Sequence, residues 1–180
     1  QEKSAFSFSP PGAPSSVYQR WIRAARVRGI PVALDSSGAA MRQGLAARPW
    51  LIKPNREEAE ALLGRRLASH RQRLRAVREL LRRGPEVVVL SMGREGALLG
   101  SAEGIWASRP PVVKTDSAVG AGDSLVAGMV YGCASGRSLR DAFRLGVACG
   151  AAAAMTPGTE LCHRADVRRL LPRVRLRRVG

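Results

Sequence analysis

Lysine, aromatic residues and long apolar runs are all scarce in this sequence. Lys3, Lys53 and Lys114 are the lysines among 30 basic residues, and aromatics make up 4% of the chain. With so few rings, the basic stretches are not interleaved with side chains that stack on bases, which argues against a nucleic-acid partner. The longest apolar run, Leu145 to Met155, falls short of the ~20 residues that cross a bilayer, so no membrane segment is expected. Residues 1–9, QEKSAFSFS, lack the basic, apolar and cleavage-site order of a signal peptide. The three cysteines, Cys133, Cys149 and Cys162, are odd in number, widely spaced and set in apolar or helical context. They read as buried thiols in a reducing, cytoplasmic compartment, with no disulfide and no zinc.

What the sequence has in excess is arginine, and the 30 basic residues against 14 acidic ones give a net charge of +16. A basic face is the electrostatic footprint of phosphate-backbone binding. Here, however, arginine stands where lysine is usual, as codon composition alone would produce, and it concentrates in two places, Arg65 to Arg83 and Arg164 to Arg178. A solvated basic face is the expected reading.

At 180 residues the chain is long enough for one domain with a real core. Ala, Leu, Val and Gly dominate, which suits helices packed on a sheet better than a β-sandwich. Pro14-Ser15-Ser16 opens a helix that carries Val17, Trp21, Ile22 and Ala25 on one face and stops at Gly29. PVALD (31–35) is a short strand ending in a carboxylate, GAAMRQGLAA a helix, and WLIKP (50–54) a buried strand. NREEAEALLG (55–64) has a capping Asn, acids in its first turn and a terminal Gly, all favoured by a helix dipole. An Arg-rich helix over about 69–83 leads into the strand EVVVLSMG. GALLG, GIWAS and PPVVK read as short strands of an antiparallel edge. Two long helices (about 120–135 and 138–155) and a basic one (164–171) complete the chain.

The alternation of strand and helix predicts an α/β fold with a parallel sheet covered by helices. In such sheets ligands sit beyond the carboxyl ends of the strands. Asp35, Lys53-Pro54-Asn55 and Ser91-Met92-Gly93 occupy those positions, and SAVGAGDSLVAG (117–128) follows the last strand. A Gly-Ala-Gly turn entering a helix exposes successive backbone N–H groups at the positive end of the helix dipole, a cradle for an anion that needs no basic side chain. Gly120, Ala121 and Gly122 would form it. If that anion is a phosphoryl group in transfer, the N–H groups stabilise its growing charge, and Asp123 is placed to take the proton of an attacking hydroxyl. The same residues also suit an ordinary Asp in a first helical turn behind a flexible loop.

IKPNREEAEALLG, LSMGREGALL and SAVGAGDSLVAG, in this order and spacing, resemble the PfkB (ribokinase-like) family of carbohydrate kinases. SPPGAP, VALDSSG and AAAAMTPGTELC add to the resemblance, which extends over residues 9–162 and is nearest the hexose-phosphate branch. The resemblance implies a three-layer, Rossmann-like sheet with helices on both faces, and ATP-dependent transfer to a hydroxyl of a sugar phosphate, as in phosphofructokinases. It places the catalytic base at Asp123 and the anion hole at Gly120 to Asp123. Asn55 and Glu58 fall on its Asn-x-x-Glu motif, which organises Mg²⁺ and its waters around the triphosphate; the same pair also suits a helix capping box. Lys53 falls near the nucleotide phosphates, though alone it reads as a surface lysine. Ser91, Gly93 and Gly96 match the nucleotide loop, though alone they are a hairpin turn. Thr115 and Ala151 match the adenosine pocket. Ser117, Val119, Ala153 and Gly158 match a potassium site built mostly from backbone carbonyls. For the full-length protein the resemblance implies a homodimer.

The chain also departs from the family. Where members carry Gly-Ser-Leu-Pro-Pro-Gly, it has Ser7-Phe8-Ser9-Pro10-Pro11-Gly12, with Phe8 at the phosphosugar contact. The family's N-terminal portion, with its sugar-binding motifs and β lid, has no counterpart here. The expected organisation is therefore an irregular segment (1–13), the nucleotide-binding C-terminal part of a PfkB-type kinase (14–171) and a basic tail (172–180). A truncated or degenerate kinase with weak or no activity alone follows, because substrate orientation and water exclusion are reduced. The second reading is a non-catalytic nucleotide- or RNA-binding module, which steeply salt-dependent RNA affinity would single out.

Overall fold

The computed structural model describes residues 14–180. The segment expected to be irregular, and with it the Ser7 to Gly12 turn, lies outside them. The chain divides into two compact units, Gln1–Leu90 with Leu99–Ile105, and Ser91–Leu98 with Trp106–Gly180. Among the described residues six strands are laid down in chain order, β1 (Ala33–Leu34), β2 (Leu51–Ile52), β3 (Val87–Ser91), β4 (Ala97–Ser101), β5 (Gly104–Arg109) and β6 (Arg175–Arg178).

In the first unit, β1 (Ala33–Leu34), β2 (Leu51–Ile52) and the start of β3 (Val87–Ser91) run parallel. Leu34 stands opposite Ile52 and Ile52 opposite Val88. The β-strand residues Leu51, Ile52 and Val88 to Leu90 are fully buried, the uninterrupted apolar pattern of a parallel sheet covered on its faces. Helices α1 (Val17–Val27), α2 (Gly38–Ala46), α3 (Arg56–Leu63) and α4 (His70–Arg82) connect and flank these strands. Each begins or ends where its sequence signals: Asn55 and Ser69 close capping boxes with Glu58 and Gln72, and Gly64 ends α3 in the left-handed conformation. Ala76, Val77 and Leu80 supply the buried stripe of α4. On α1 only Ile22 is buried. Trp21, expected on the same face, is 62% exposed and packs edge-on against Tyr18, because one step along a helix turns a side chain by about 100° away from its neighbour.

The second unit is built around α5 (Ala121–Ala134) and α6 (Leu139–Ala153). A side chain at Gly128 would approach Gly146 Cα to 2.9 Å, one at Gly146 would meet Leu125 O at 2.6 Å, and one at Gly150 would meet Ala121 O at 2.9 Å. The two helices therefore approach backbone to backbone, and at these three positions only a residue without a Cβ fits. Phe143 and Met129, both fully buried, fill the space beside it.

The sheet edge differs from expectation. PPVVK (110–114) is not a strand: Pro110 and Pro111 have no N–H to give a ladder, and Val112 is 90% exposed. The antiparallel partner of β5 (Gly104–Arg109) is instead β6 (Arg175–Arg178), with Ser108 opposite Leu176 and Trp106 opposite Arg178. The segment read as a basic tail thus contains an edge strand, whose exposed arginines discourage further strand addition. Between α6 and β6, α7 (Arg164–Leu170) buries Leu170, and Val174 is buried just ahead of β6.

Candidate active site

The first unit places a polar corner at the carboxyl ends of its parallel strands. Since Leu34 lies opposite Ile52, the next residue of each strand emerges side by side. Those residues are Asp35 and Lys53, and Lys53 Nζ lies 3.1 Å from Asp35 Oδ2. Lys53 is not the surface lysine that its sequence position suggests: it is 6% exposed, and burying its ammonium is tolerable because a carboxylate accompanies it. Ser36, next in the chain, is also buried, and its hydroxyl has no hydrogen-bond partner among the described residues. A hydroxyl in that state costs about 1–3 kcal/mol unless water or a ligand group completes it.

Asn55 and Glu58 complete the corner. Asn55 Oδ1 accepts the Glu58 N–H at 2.8 Å, and Glu58 Oε2 accepts the Asn55 N–H at 2.8 Å. The helix-cap reading of this pair is therefore correct. It does not exclude a metal role, because the cap uses one lone pair of the amide oxygen and one oxygen of the carboxylate. No cluster of three or more His, Cys, Asp or Glu suited to a metal exists among the described residues. The donor set of Asn55 and Glu58 fits a hard cation that keeps most of its waters and takes further ligands from phosphates, as Mg²⁺ does.

The second unit holds the glycine turn. Gly120 caps α5 with φ of 76°, a left-handed conformation that L side chains resist; no neighbouring atom crowds the position, so the backbone angle alone requires glycine. No side chain caps α5. Its first helical bond runs from the Ser124 N–H to Gly120 O at 2.9 Å, which leaves the N–H groups of Ala121, Gly122 and Asp123 ahead of the helical ladder. Asp123 is exposed at this open end. α6 runs close behind the first turn of α5: a side chain at Gly150 would come within 2.9 Å of Ala121 O.

The remaining sequence candidates of this unit fall into four groups. Thr115, Ser117 and Val119 lie on the loop ahead of α5, where the Val119 N–H donates to Ser117 Oγ at 3.2 Å. Ala151 and Ala153 are buried in the last turn of α6. Gly158 follows in the next loop, with φ of 56°. The Asp116 N–H donates to Ala154 O at 2.9 Å, which brings the first group to the second. Buried Thr156 ties the third to them, its Oγ1 lying 2.8 Å from both Ala153 O and Glu160 O. Ser91, Gly93 and Gly96 form a tight turn in which the Met92 N–H donates to Gly96 O at 2.9 Å. Gly96 has φ of 103°, and a methyl group there would collide with Ser108 O. The sequence reading passed over Asp35 as a partner of Lys53, the seam glycines of α5 and α6, and Thr156. Small residues at positions 128, 132, 146 and 150 were the available sign of the seam.

Of the three free thiols, Cys149 is buried. Burial, with the Cys162 thiol alongside, pushes Cys149 up to about 12, and burial also raises Cys133. Neither is an activated nucleophile.

The first unit thus ends its parallel strands in a charged, polar corner, and the second opens a helix with a side-chain-free turn and an acid beside it. The chain belongs to the pfkB family of carbohydrate kinases, whose model matches residues 2–166. It is 36% identical over 167 residues to a 1-phosphofructokinase of Escherichia coli K12, an alignment covering 93% of this chain and 54% of that protein. It is 39% identical over 163 residues to the ATP-dependent 6-phosphofructokinase isozyme 2 of the same organism, covering 89% and 53%. The crystal structure of phosphofructokinase-2 from Escherichia coli in complex with potassium superposes with a TM-score of 0.86 at 38% identity, over 91% of this chain and 54% of that one. The ribokinase-like fold expected from the sequence is thus the fold observed. The chain spans about half the length of these relatives.

Proposed function

We propose that this chain carries the nucleotide and phosphoryl-transfer machinery of an ATP-dependent sugar-phosphate kinase of the phosphofructokinase type. The single observation that supports this most is the uncapped N-terminus of α5, with Gly120 in a left-handed turn and Asp123 exposed beside it. Asp123 accepts the proton of the attacking sugar hydroxyl as that oxygen bonds to the γ-phosphorus of ATP. The N–H groups of Ala121, Gly122 and Asp123 stabilise the charge spread over the transferring group. The leaving oxygen departs with ADP.

Lys53, held by Asp35, offers a positive charge to the nucleotide phosphates. Asn55 and Glu58 hold Mg²⁺ mostly through its waters; the ion, when bound, neutralises charge on the triphosphate. Ser91, Gly93 and Gly96 form the turn over which backbone approaches the nucleotide, with Thr115 and Ala151 lining the adenosine side. Ser117, Val119, Ala153 and Gly158 supply carbonyls for potassium. The names of the relatives suggest fructose 1-phosphate or fructose 6-phosphate as acceptor.

The 180 residues taken by themselves are expected to turn over feebly, because transfer without full enclosure of the sugar loses orientation and competes with water. The test is ATP-dependent formation of fructose bisphosphate from each monophosphate, with Mg-ATP binding measured in parallel. Binding with slow transfer supports the proposal. No Mg-ATP binding contradicts it, and ordinary kinase turnover by these residues refutes the expected feebleness.

A further inference from the structure

The cysteines play no part in the proposed chemistry, and two of them meet. Cys149 lies on α6, is 9% exposed, and sits so near α5 that a Cβ at Gly128 would come within 2.8 Å of its Sγ. Cys162 lies between α6 and α7 and is half-buried. A chain reversal brings the second to the first. Thr156 Oγ1 lies 2.8 Å from both Ala153 O and Glu160 O, and the Glu160 N–H donates to Pro157 O at 3.1 Å. One hydroxyl therefore holds the departing and the returning chain at the same level. Because α7 packs against α6, the residues between the reversal and α7 run back along that helix. From Ala153 back to Cys149 is four residues of α6, a rise of about 6 Å, and the two residues that carry the chain from Glu160 to Cys162 span up to about 6.6 Å. The two lengths match, and the Cys162 thiol is in hydrogen-bond contact with that of Cys149.

The pair also divides the roles that disulfide formation needs. Cys149 is enclosed and stays protonated, since burial and the neighbouring thiol push it up to about 12. Cys162 is partly exposed and is the sulfur that a reagent from solution meets first. Cys133, on α5, is raised by burial alone and serves as an internal control.

We propose that Cys149 and Cys162 are a reversible disulfide site, closed by thiol–disulfide exchange with oxidised glutathione. The Cys162 thiolate attacks one sulfur of that small disulfide; its S–S bond breaks, and one glutathione leaves as a thiolate and takes up the proton that Cys162 gave up. Cys149 then gives up its proton and attacks Cys162 Sγ, expelling the second glutathione, which takes that proton. The protein is oxidised by two electrons, and the small disulfide is reduced to two thiols. The closed ring contains Ala151, Ala153, Thr156 and Gly158, so on the function proposed above it fastens the loop beside the adenosine and potassium positions. Formation of the disulfide does not depend on that function.

The test equilibrates the full chain in glutathione buffers of graded redox ratio, quenches with acid, alkylates the free thiols and reads the products by mass spectrometry. Both cysteines fall in one tryptic peptide, Leu145 to Arg164, and further cleavage after Glu160 leaves its two parts joined only where the disulfide has formed. The ratio of disulfide to dithiol should be at least about tenfold higher in the folded chain than in the same chain unfolded in urea at the same buffer ratio, because the fold holds the two sulfurs together. Cys133 should remain a free thiol in the folded chain. In Cys149→Ser, Cys162 should stop at the mixed disulfide with glutathione. The proposal is overturned if the folded chain forms the Cys149–Cys162 disulfide no more readily than the unfolded chain, or if pairs with Cys133 form as readily.

Discussion

Two helices begin beside candidate site residues, and they begin in opposite ways. At α3 the Asn55 amide and the Glu58 carboxylate occupy each other's backbone N–H groups at 2.8 Å. At α5 the corresponding place is taken by Gly120, which has no side chain to offer. A helix start closed by side chains gains stability, typically about 0.5–2 kcal/mol for the cap. A start left open forgoes that gain and keeps its N–H groups and dipole for an anion. On the proposed reading the missing side chain at Gly120 is itself the functional feature, which requires that something else hold the backbone. Behind α5 lies the glycine seam with α6, which lets the two backbones approach so closely that a Cβ at Gly150 would come within 2.9 Å of Ala121 O in the first turn.

The comparison makes graded predictions. The largest effect on folding is expected from Gly146→Val: its new methyl groups would be driven into Leu125 O, already 2.6 Å from an added Cβ, and a backbone oxygen cannot move aside as the Met129 side chain at 2.7 Å can. Overpacking usually costs 1–3 kcal/mol, and against backbone about 3 kcal/mol or more is expected, read as a lowered midpoint in urea unfolding. Asp35→Asn should follow closely. It strands the buried Lys53 ammonium, a loss of up to about 3 kcal/mol, at the low end for a broken buried pair because Asp35 itself is partly exposed. Gly120→Ala should cost about 1–2 kcal/mol through its backbone angle and should also weaken Mg-ATP binding; a stability loss with unchanged nucleotide affinity would remove the anion role of the turn. Asn55→Ala should cost about 1 kcal/mol from the lost cap.

The smallest effect concerns acid. Arg83 and Arg65 hold the Glu79 carboxyl below its ordinary 4.5, burial opposing them only partly. A depressed carboxylate contributes stability above its unfolded-state value, and that contribution disappears as pH falls below 4.5 and through the folded-state value. The pair is solvent-exposed, so Glu79→Gln should shift the acid-unfolding midpoint only slightly. A large shift would mean that the Arg65–Glu79–Arg83 cluster supports more of the fold than its exposure implies.

Much of this was legible in the sequence because its signals are local. The cap at Asn55, the stop at Gly64, the apolar strand before Ser91 and the Gly-Ala-Gly entry to α5 each depend on residues within one turn or one strand of each other. What escaped depends on pairing between distant segments. The Asp35–Lys53 ion pair follows from the alignment of Leu34 with Ile52, and nothing in either short strand announces its partner. The edge strand β6 hid in an arginine-rich tail because its apolar content is one leucine, while PPVVK had the valines but lacked the N–H groups at its prolines. The meeting of Cys149 and Cys162 needs the chain reversal at Thr156. Relatives at 36–39% identity supply the family, but these contacts are visible only in three dimensions.

The proposed transfer step depends on one exposed acid at an open helix start, and Asp123→Asn removes that acid. The substitution keeps the shape of the turn and removes the base. ATP-dependent phosphorylation of the sugar monophosphate, followed over long incubations, should fall by about 10²–10⁴-fold, while Mg-ATP affinity measured on the same preparation stays unchanged. Transfer persisting at the parent rate in Asp123→Asn would contradict the account.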